Sequence, residues 1–201
     1  QSPHIIDLFI QIAGMPSEVM GHTDTLLHDI EVEDLAEAML TYPDGGVGYF
    51  YCSTNEPSPC QMIEVFGDKG KLTVRDGVLK FILFDKPVTE FTRTTTEMWG
   101  GPKRVEQEVQ ILPGEHGHYV IIRNFARHIQ TGEKLIAPGE DGIRSLELAN
   151  AIWLSAHLKK PVKLPISRTA YDQFLALKRK TSRGPRVIKK VRTETDPHHK
   201  V

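Results

Sequence analysis

Two ionisable side chains at helical spacing, His4 and Asp7, stand at the front of the chain in Gln1-Ser2-Pro3-His4-Ile5-Ile6-Asp7-Leu8. Ser2 is a good N-cap, and Pro3 fits the first helical position, where its missing N–H costs nothing. A histidine in the first turn lies at the positive end of the helix dipole, which favours the neutral imidazole. A neutral imidazole accepts a proton, so His4 is the leading candidate for a general base. Asp7 and Gln11 follow at i+3 and i+7 and can point into the same space. The plain alternative is an ordinary first-turn histidine, because one unpaired His is a weak mark of a site.

Other chemistry is thinner. Cys52 and Cys60 flank a turn-rich stretch and could oppose each other across a hairpin, or join His116 or His118 at a metal. Without a Cys-x-x-Cys or a His-Glu-x-x-His, two reduced packing thiols are the simpler reading, and no metal is expected. Gly45-Gly46-Val47-Gly48 follows Pro43-Asp44 and leads into a strand, so it reads as a hairpin turn. A phosphate-binding glycine loop needs a strand before it and a helix after it.

The elements that must carry these residues follow from pattern. A helix from Pro3 to Ala13, stopped by Gly14, buries Ile5, Leu8, Phe9 and Ile12. From Ser17 to Leu112 short β-type runs alternate with turn residues. The strands expected are Glu18–Thr23, Asp34–Tyr42, Gly46–Ser53, Gln61–Gly67, Lys71–Arg75, Val78–Phe84, Thr89–Thr95 and Val105–Leu112. Asp76-Gly77 between two alternating runs is the strongest hairpin signal. Such short connections imply antiparallel neighbours. Helices then return over His118–Thr131, with Ile121, Phe125 and Ile129 inward, and over 139–158, with Ile143, Leu146, Ala149 and Trp153 on one side. After an edge strand at Val162–Ile166, a third runs from Arg168 to Lys180, capped by Ser167, with Tyr171, Phe174 and Leu175 inward.

The order describes an α+β domain over 1–182: an open, mostly antiparallel sheet with helices on one face. Its other face must be wet or covered by a partner. The tail 183–201 mixes six basic residues with Glu194, Asp196 and prolines and has no period that folds alone. At 201 residues, 39% hydrophobic, 25% charged and a formal charge of −1, the chain resembles ordinary globular proteins. Nothing in that balance points to nucleic acid or an acidic lipid surface, and no apolar run is long enough to span a membrane. A cytoplasmic location is the expectation.

Pro3-His4-Ile5-Ile6-Asp7-Leu8 followed by Gly14 resembles the segment that opens the C-terminal domain of the Gfo/Idh/MocA oxidoreductases. Further stretches agree in order: Glu33-Asp34-Leu35-Ala36 to Tyr42-Pro43-Asp44-Gly45-Gly46, Glu64-Val65-Phe66-Gly67-Asp68-Lys69-Gly70-Lys71-Leu72, Asn124-Phe125, and Gly139-Glu140-Asp141-Gly142 through Ser155 to Val162-Lys163-Leu164-Pro165. The likeness covers about residues 3–182. It implies an N-terminal Rossmann domain, outside this sequence, that holds NAD or NADP. It also implies a sheet that binds substrate and builds a homodimer or homotetramer.

On that resemblance His4 matches the family's catalytic histidine, which relays a proton from a sugar or polyol hydroxyl. Asp7 matches the aspartate that orients it or holds the domain junction. His118, Asn55 and Trp99 lie where loops or helix starts could face the substrate, though Trp99 could equally pack under Gly100-Gly101. The expected parent is an NAD(P)-dependent oxidoreductase acting on a sugar-like hydroxyl compound, with this chain inactive alone. The alternatives are cofactor-assisted glycoside cleavage and a non-catalytic dimerisation module.

Overall fold

The computed structural model describes residues 3–56, 61–109, 114–115 and 117–182. In chain order they form α1 (Pro3–Ala13), β1 (Glu18–Asp24), β2 (Leu35–Thr41), β3 (Val47–Ser53), β4 (Met62–Gly67), β5 (Gly70–Arg75), β6 (Val78–Phe84), α2 (Val88–Thr94), β7 (Arg104–Gln107), α3 (His118–Thr131), α4 (Asp141–Leu158), β8 (Val162–Lys163) and α5 (Arg168–Thr181). The fold is α+β, and every strand pairing is antiparallel. The strands hydrogen-bond as two four-stranded sheets, β3-β2-β1-β8 and β4-β5-β6-β7. The chain divides into two compact units: Gln1–Met15 with Glu56–Leu146, and Pro16–Asn55 with Glu147–Val201. The tail 183–201, Ser2, Cys60 and His116 lie outside the described residues.

In the second unit, alternation on β1, β2 and β3 puts Val19, Ala38, Leu40 and Phe50 on one buried face. Leu148, Ala151, Ile152 and Ser155 of α4 are buried with them, at the i, i+3, i+4, i+7 spacing of one helix stripe. Gly21 lets that helix come close: a Cβ there would lie 2.4 Å from the Ile152 carbonyl oxygen. The Gly21 N–H donates to Ser155 Oγ at 2.9 Å, and that hydroxyl donates onward to the Lys160 carbonyl at 2.7 Å. One serine thus satisfies backbone groups on both sides of the contact. Ser167 caps α5 through the Ala170 N–H, as its sequence predicts, and Phe174 is buried between the half-buried Tyr171 and the ring of His157.

In the first unit the hairpins follow their turn chemistry. Asp76 and Gly77 both have positive φ, 50° and 80°, the conformation a two-residue turn of this hand requires. The segment 89–95, expected as a strand, is instead most of α2. Its alternating threonines gave a β signal, but Asp68 overrides it from a distant turn. The Asp68 carboxylate accepts from the Thr89 N–H at 2.8 Å and from Thr89 Oγ1 at 3.0 Å, and the Asp68 carbonyl accepts from the Val88 N–H. Those bonds satisfy the donors a helix start leaves open. Of the expected strand 105–112, β7 (104–107) includes 105–107, and 110–112 lie outside the described residues.

The predicted burial faces of three helices need correction. In α1 the buried residues are Ile6 and Ile10, while Leu8 and Ile12 are exposed. In α3 Ile121, Phe125 and Ile129 are exposed and Asn124 is buried. In α4 Ile143 and Leu146 are exposed. The reason is clearest in α3, which is anchored by a polar group. The Asn124 carboxamide donates to Glu133 Oε1 and the Lys134 carbonyl, both at 2.9 Å, and accepts from the Ile136 N–H at 2.9 Å. Asn124→Ala should therefore destabilise by about 2–4 kcal/mol, since it strands buried backbone groups. A urea titration checks this; a change under about 0.5 kcal/mol would mean water replaces the carboxamide without loss.

Candidate active site

α1 presents His4 in its first turn and Asp7 one turn later, both exposed to solvent. The helix ends as expected: Gly14 takes φ 76° and its N–H closes on the Ile10 carbonyl at 2.8 Å. Asp7 is tethered from another element of the same unit, because Ser145 Oγ of α4 donates to Asp7 Oδ1 at 3.2 Å. A carboxylate held in this way can orient an imidazole or stabilise its charged form.

The other predicted residues are dispersed. His118 is exposed and opens α3, directly after Gly117 at φ 84°. Trp99 is 91% exposed, so it does not pack under its glycine turn. His4, Asp7, Trp99 and His118 belong to the first unit, Asn55 to the second. Asn55 serves a structural latch: its Nδ2 donates to Asp34 Oδ1 at 3.1 Å, and its own Oδ1 is buried with no partner among the described residues.

Asp34 is the residue that sequence reasoning missed there. It is 3% exposed, yet it holds the loop after β1 by accepting from the N–H groups of Leu26, Leu27 and His28 at 2.8–2.9 Å and from His28 Nδ1 at 3.1 Å. Burial alone would raise its pKa, but the backbone donors and Asn55 outweigh burial and hold the carboxyl well below the usual range. Sequence carried one clue, an acidic residue just ahead of an alternating run. The donors, six to eight residues upstream in an irregular loop, have no period to reveal them.

A second polar cluster lies on the face of β1–β3 away from α4. Glu37 accepts from Tyr49 Oη at 2.5 Å and meets His22 Nδ1 at 3.1 Å. The Tyr49 hydroxyl, and His22 behind it, hold the Glu37 carboxyl below its ordinary pKa against the opposing effect of burial, and Glu37 in turn raises the Tyr49 phenol.

A cavity of about 710 Å³ also lies in the second unit, lined by Thr25 and Glu31 of the loop, Trp153 and His157 of α4, and Phe174 and Lys178 of α5. None of the predicted site residues lines it. Among the described residues no group of three or more His, Cys, Asp or Glu side chains could hold a metal. No helix among them is long and apolar enough to cross a membrane.

Residues 1–164 match the model of an oxidoreductase family, GFO_IDH_MocA, C-terminal alpha/beta domain. A search of curated proteins finds no match. Among solved structures, the chain superposes on the WlbA dehydrogenase from Bordetella pertussis, in complex with NADH and UDP-GlcNAcA, with a TM-score of 0.61 and 23% identity. That superposition covers 83% of this chain and 44% of that one. Aldose-aldose oxidoreductase from Caulobacter crescentus, complexed with glycerol, gives 0.60 and 21%, covering 81% and 46%. UDP-N-acetylglucosamine 3-dehydrogenase GnnA from Acidithiobacillus ferrooxidans gives 0.55 and 16%, covering 78% and 45%. The chain thus spans less than half the length of these proteins, and at such identities the likeness is one of fold. The family match, reaching from the His4 helix through β8, shows that this chain belongs to the Gfo/Idh/MocA oxidoreductases and corresponds to their C-terminal alpha/beta domain.

Proposed function

We propose that this chain is the substrate-side half of an NAD(P)-dependent oxidoreductase that acts on a hydroxyl group of a sugar or sugar nucleotide. The observation that carries the reading is the position of His4: it opens α1 inside the family match, with Asp7 one turn on and tethered by Ser145. In this reading the imidazole accepts the proton of the substrate hydroxyl, and Asp7 steadies the ring as it gains charge. The solved relatives crystallised with a UDP-sugar or named for aldoses support a sugar substrate.

The described residues do not fit a dinucleotide. Every strand pair is antiparallel, whereas a dinucleotide cradle follows a parallel strand with a glycine turn into a helix. Gly45-Gly46 instead turns the β2–β3 hairpin, with the Gly46 N–H on Asp44 Oδ1. The cofactor in this proposal is held by another part of a longer protein. Titration calorimetry of the 201-residue chain with NADH should then show no binding. The longer protein should reduce nicotinamide when given a UDP-sugar or an aldose. Tight NADH binding by this chain alone, or a longer protein inert to all hydroxyl substrates, would count against the reading.

The outer face of β1–β3 supports a second element of the proposal, a second copy of the chain stacked on it. Met39, Val47, Tyr49 and Tyr51 are all exposed there, with Met39 at 67%. Its charged groups lie at the ends of β1, Glu18 beside Lys163 at one end and Asp24 at the other.

A further inference from the structure

We infer that the cavity of the second unit is a binding site for a phosphorylated monosaccharide, built without His4 or Asp7. Its volume of about 710 Å³ lies within the range of about 300–1,000 Å³ usual for small-molecule sites. Every residue that lines it belongs to one compact unit, whereas His4 and Asp7 belong to the other. α5, which supplies Phe174, Lys178 and Arg179, lies wholly beyond residue 164, where the family match ends. One wall of the cavity is therefore a helix outside the matched domain.

Three cations define the anionic end of the ligand. Lys159 directly follows α4, and Lys178 and Arg179 stand in the last turn of α5. None of the three makes an ion pair among the described residues. The C-terminal ends of the two helices hold positive charge in place through their dipoles. Lys159 takes φ 52°, the left-handed position at which glycine usually ends a helix, and the Lys160 N–H closes the cap on the Ser155 carbonyl at 3.4 Å. A long cationic side chain is thus kept where the backbone favours none. A guanidinium fork beside two ammonium groups is a donor set suited to phosphate.

The remaining walls define the body of the ligand. Trp153 meets Phe174 edge-on, at 6.0 Å and 76°. Phe174 is 4% exposed and Trp153 is half-buried, so the indole offers the larger aromatic surface to a ligand. The end of β1 and the loop after it contribute Asp24, Glu31 and Glu33. Carboxylates here take donors: Asp24 accepts from the Thr25 N–H at 2.7 Å, and Glu31 from Ser182 Oγ at 2.8 Å. An ionised carboxylate only accepts, so a molecule lying against this wall must bring donors of its own. Sugar hydroxyls are such donors, and a pyranose adds a face of C–H groups that can lie against an indole. A planar base would match the indole but offer the carboxylates few donors. Three carboxylates balance the three cations overall, so a bare phosphate gains little here and the sugar body must contribute.

Titration calorimetry of the 201-residue chain with glucose 6-phosphate, beside glucose and inorganic phosphate, tests this. Expected is saturable binding of the sugar phosphate, with glucose and phosphate each at least about tenfold weaker. Replacing Lys178 and Arg179 together by glutamine should weaken it at least about tenfold, the usual worth of a charge-assisted hydrogen bond. Both side chains are exposed, so the fold should survive the change, and circular dichroism checks that it does. Trp153→Leu should weaken the sugar phosphate and leave inorganic phosphate unaltered. His4→Gln should bind as the wild type does. Phosphate bound as tightly as the sugar phosphate would mean an adventitious anion site only and overturns the proposal. Binding lost in His4→Gln but kept in the Lys178/Arg179 double variant would assign the sugar phosphate to α1, overturning this site and leaving the proposed function standing. A folded chain that binds none of the three overturns the site without bearing on His4.

Discussion

Replacing Gly21 by alanine is expected to remove about 3–5 kcal/mol of stability, a large share of the roughly 5–15 kcal/mol a domain usually has. The new methyl would lie 2.4 Å from the Ile152 carbonyl oxygen, with that residue's carbonyl carbon and Cα also tight at 3.0 and 3.1 Å. All three atoms belong to the backbone of α4, so no side chain can rotate aside. Moving the helix away instead breaks the Gly21–Ser155 hydrogen bond and loosens the Lys160 carbonyl behind it. Overpacking and stranded backbone groups therefore act together. Ser155→Ala, which removes only the hydroxyl, should cost less, about 1–3 kcal/mol. Guanidinium unfolding of the three proteins gives the ranking. If Gly21→Ala unfolded within about 1 kcal/mol of wild type, the close approach of strand and helix would be wrong.

In the longer protein, His4→Gln should lower the hydride-transfer rate by about 10²–10⁴, the usual worth of a positioned general base. That corresponds to about 3–5 kcal/mol of barrier. Cofactor affinity should be unchanged, because the proposal assigns the cofactor to another part of the longer protein. The pH profile of kcat/KM carries the sharper information. Wild-type activity should rise along the limb on which the base loses its proton, and the variant should lose that limb and run flat. Asp7→Asn should lower the rate by less than His4→Gln does, as expected of a carboxylate that positions the ring without itself taking the proton. A His4→Gln enzyme with wild-type rate and an unaltered profile would leave the chain a module for association only.

Local signals in the sequence survived the structure well. Gly14, Asp76-Gly77, Ser167 and the start of α3 at His118 were all legible, because each is decided by backbone geometry within a few residues. Burial faces were less legible. In the second half of α4 apolar residues surround the axis, so period alone cannot say which stripe faces inward. A glycine 131 residues upstream chooses Leu148, Ala151 and Ile152 by letting backbone approach backbone. The α2 error has the same source, since the cap comes from Asp68 across a turn.

The candidate site divides along the same line. His4 and Asp7 could be read because one helix turn relates them. Ser145, which fixes Asp7, lies 138 residues away, and no spacing rule reaches that far. Glu37 is joined to His22 across a long irregular loop, whose length sets no register. The sequence showed the residues, but their partners came from tertiary pairing.

The position of β8 bears on how the chain is born. β1 receives its last sheet neighbour from a strand in register with Glu18 through Lys163, 145 positions later. A ribosome adding roughly 5–20 residues each second takes on the order of ten seconds to reach it. For the greater part of that interval β1–β3 have been made without the helix that covers Val19, Ala38, Leu40 and Phe50. The nascent chain thus displays both faces of an apolar three-stranded sheet until α4 and β8 arrive. A chaperone that binds exposed sheets should engage it in that window, and release should coincide with synthesis past Lys163.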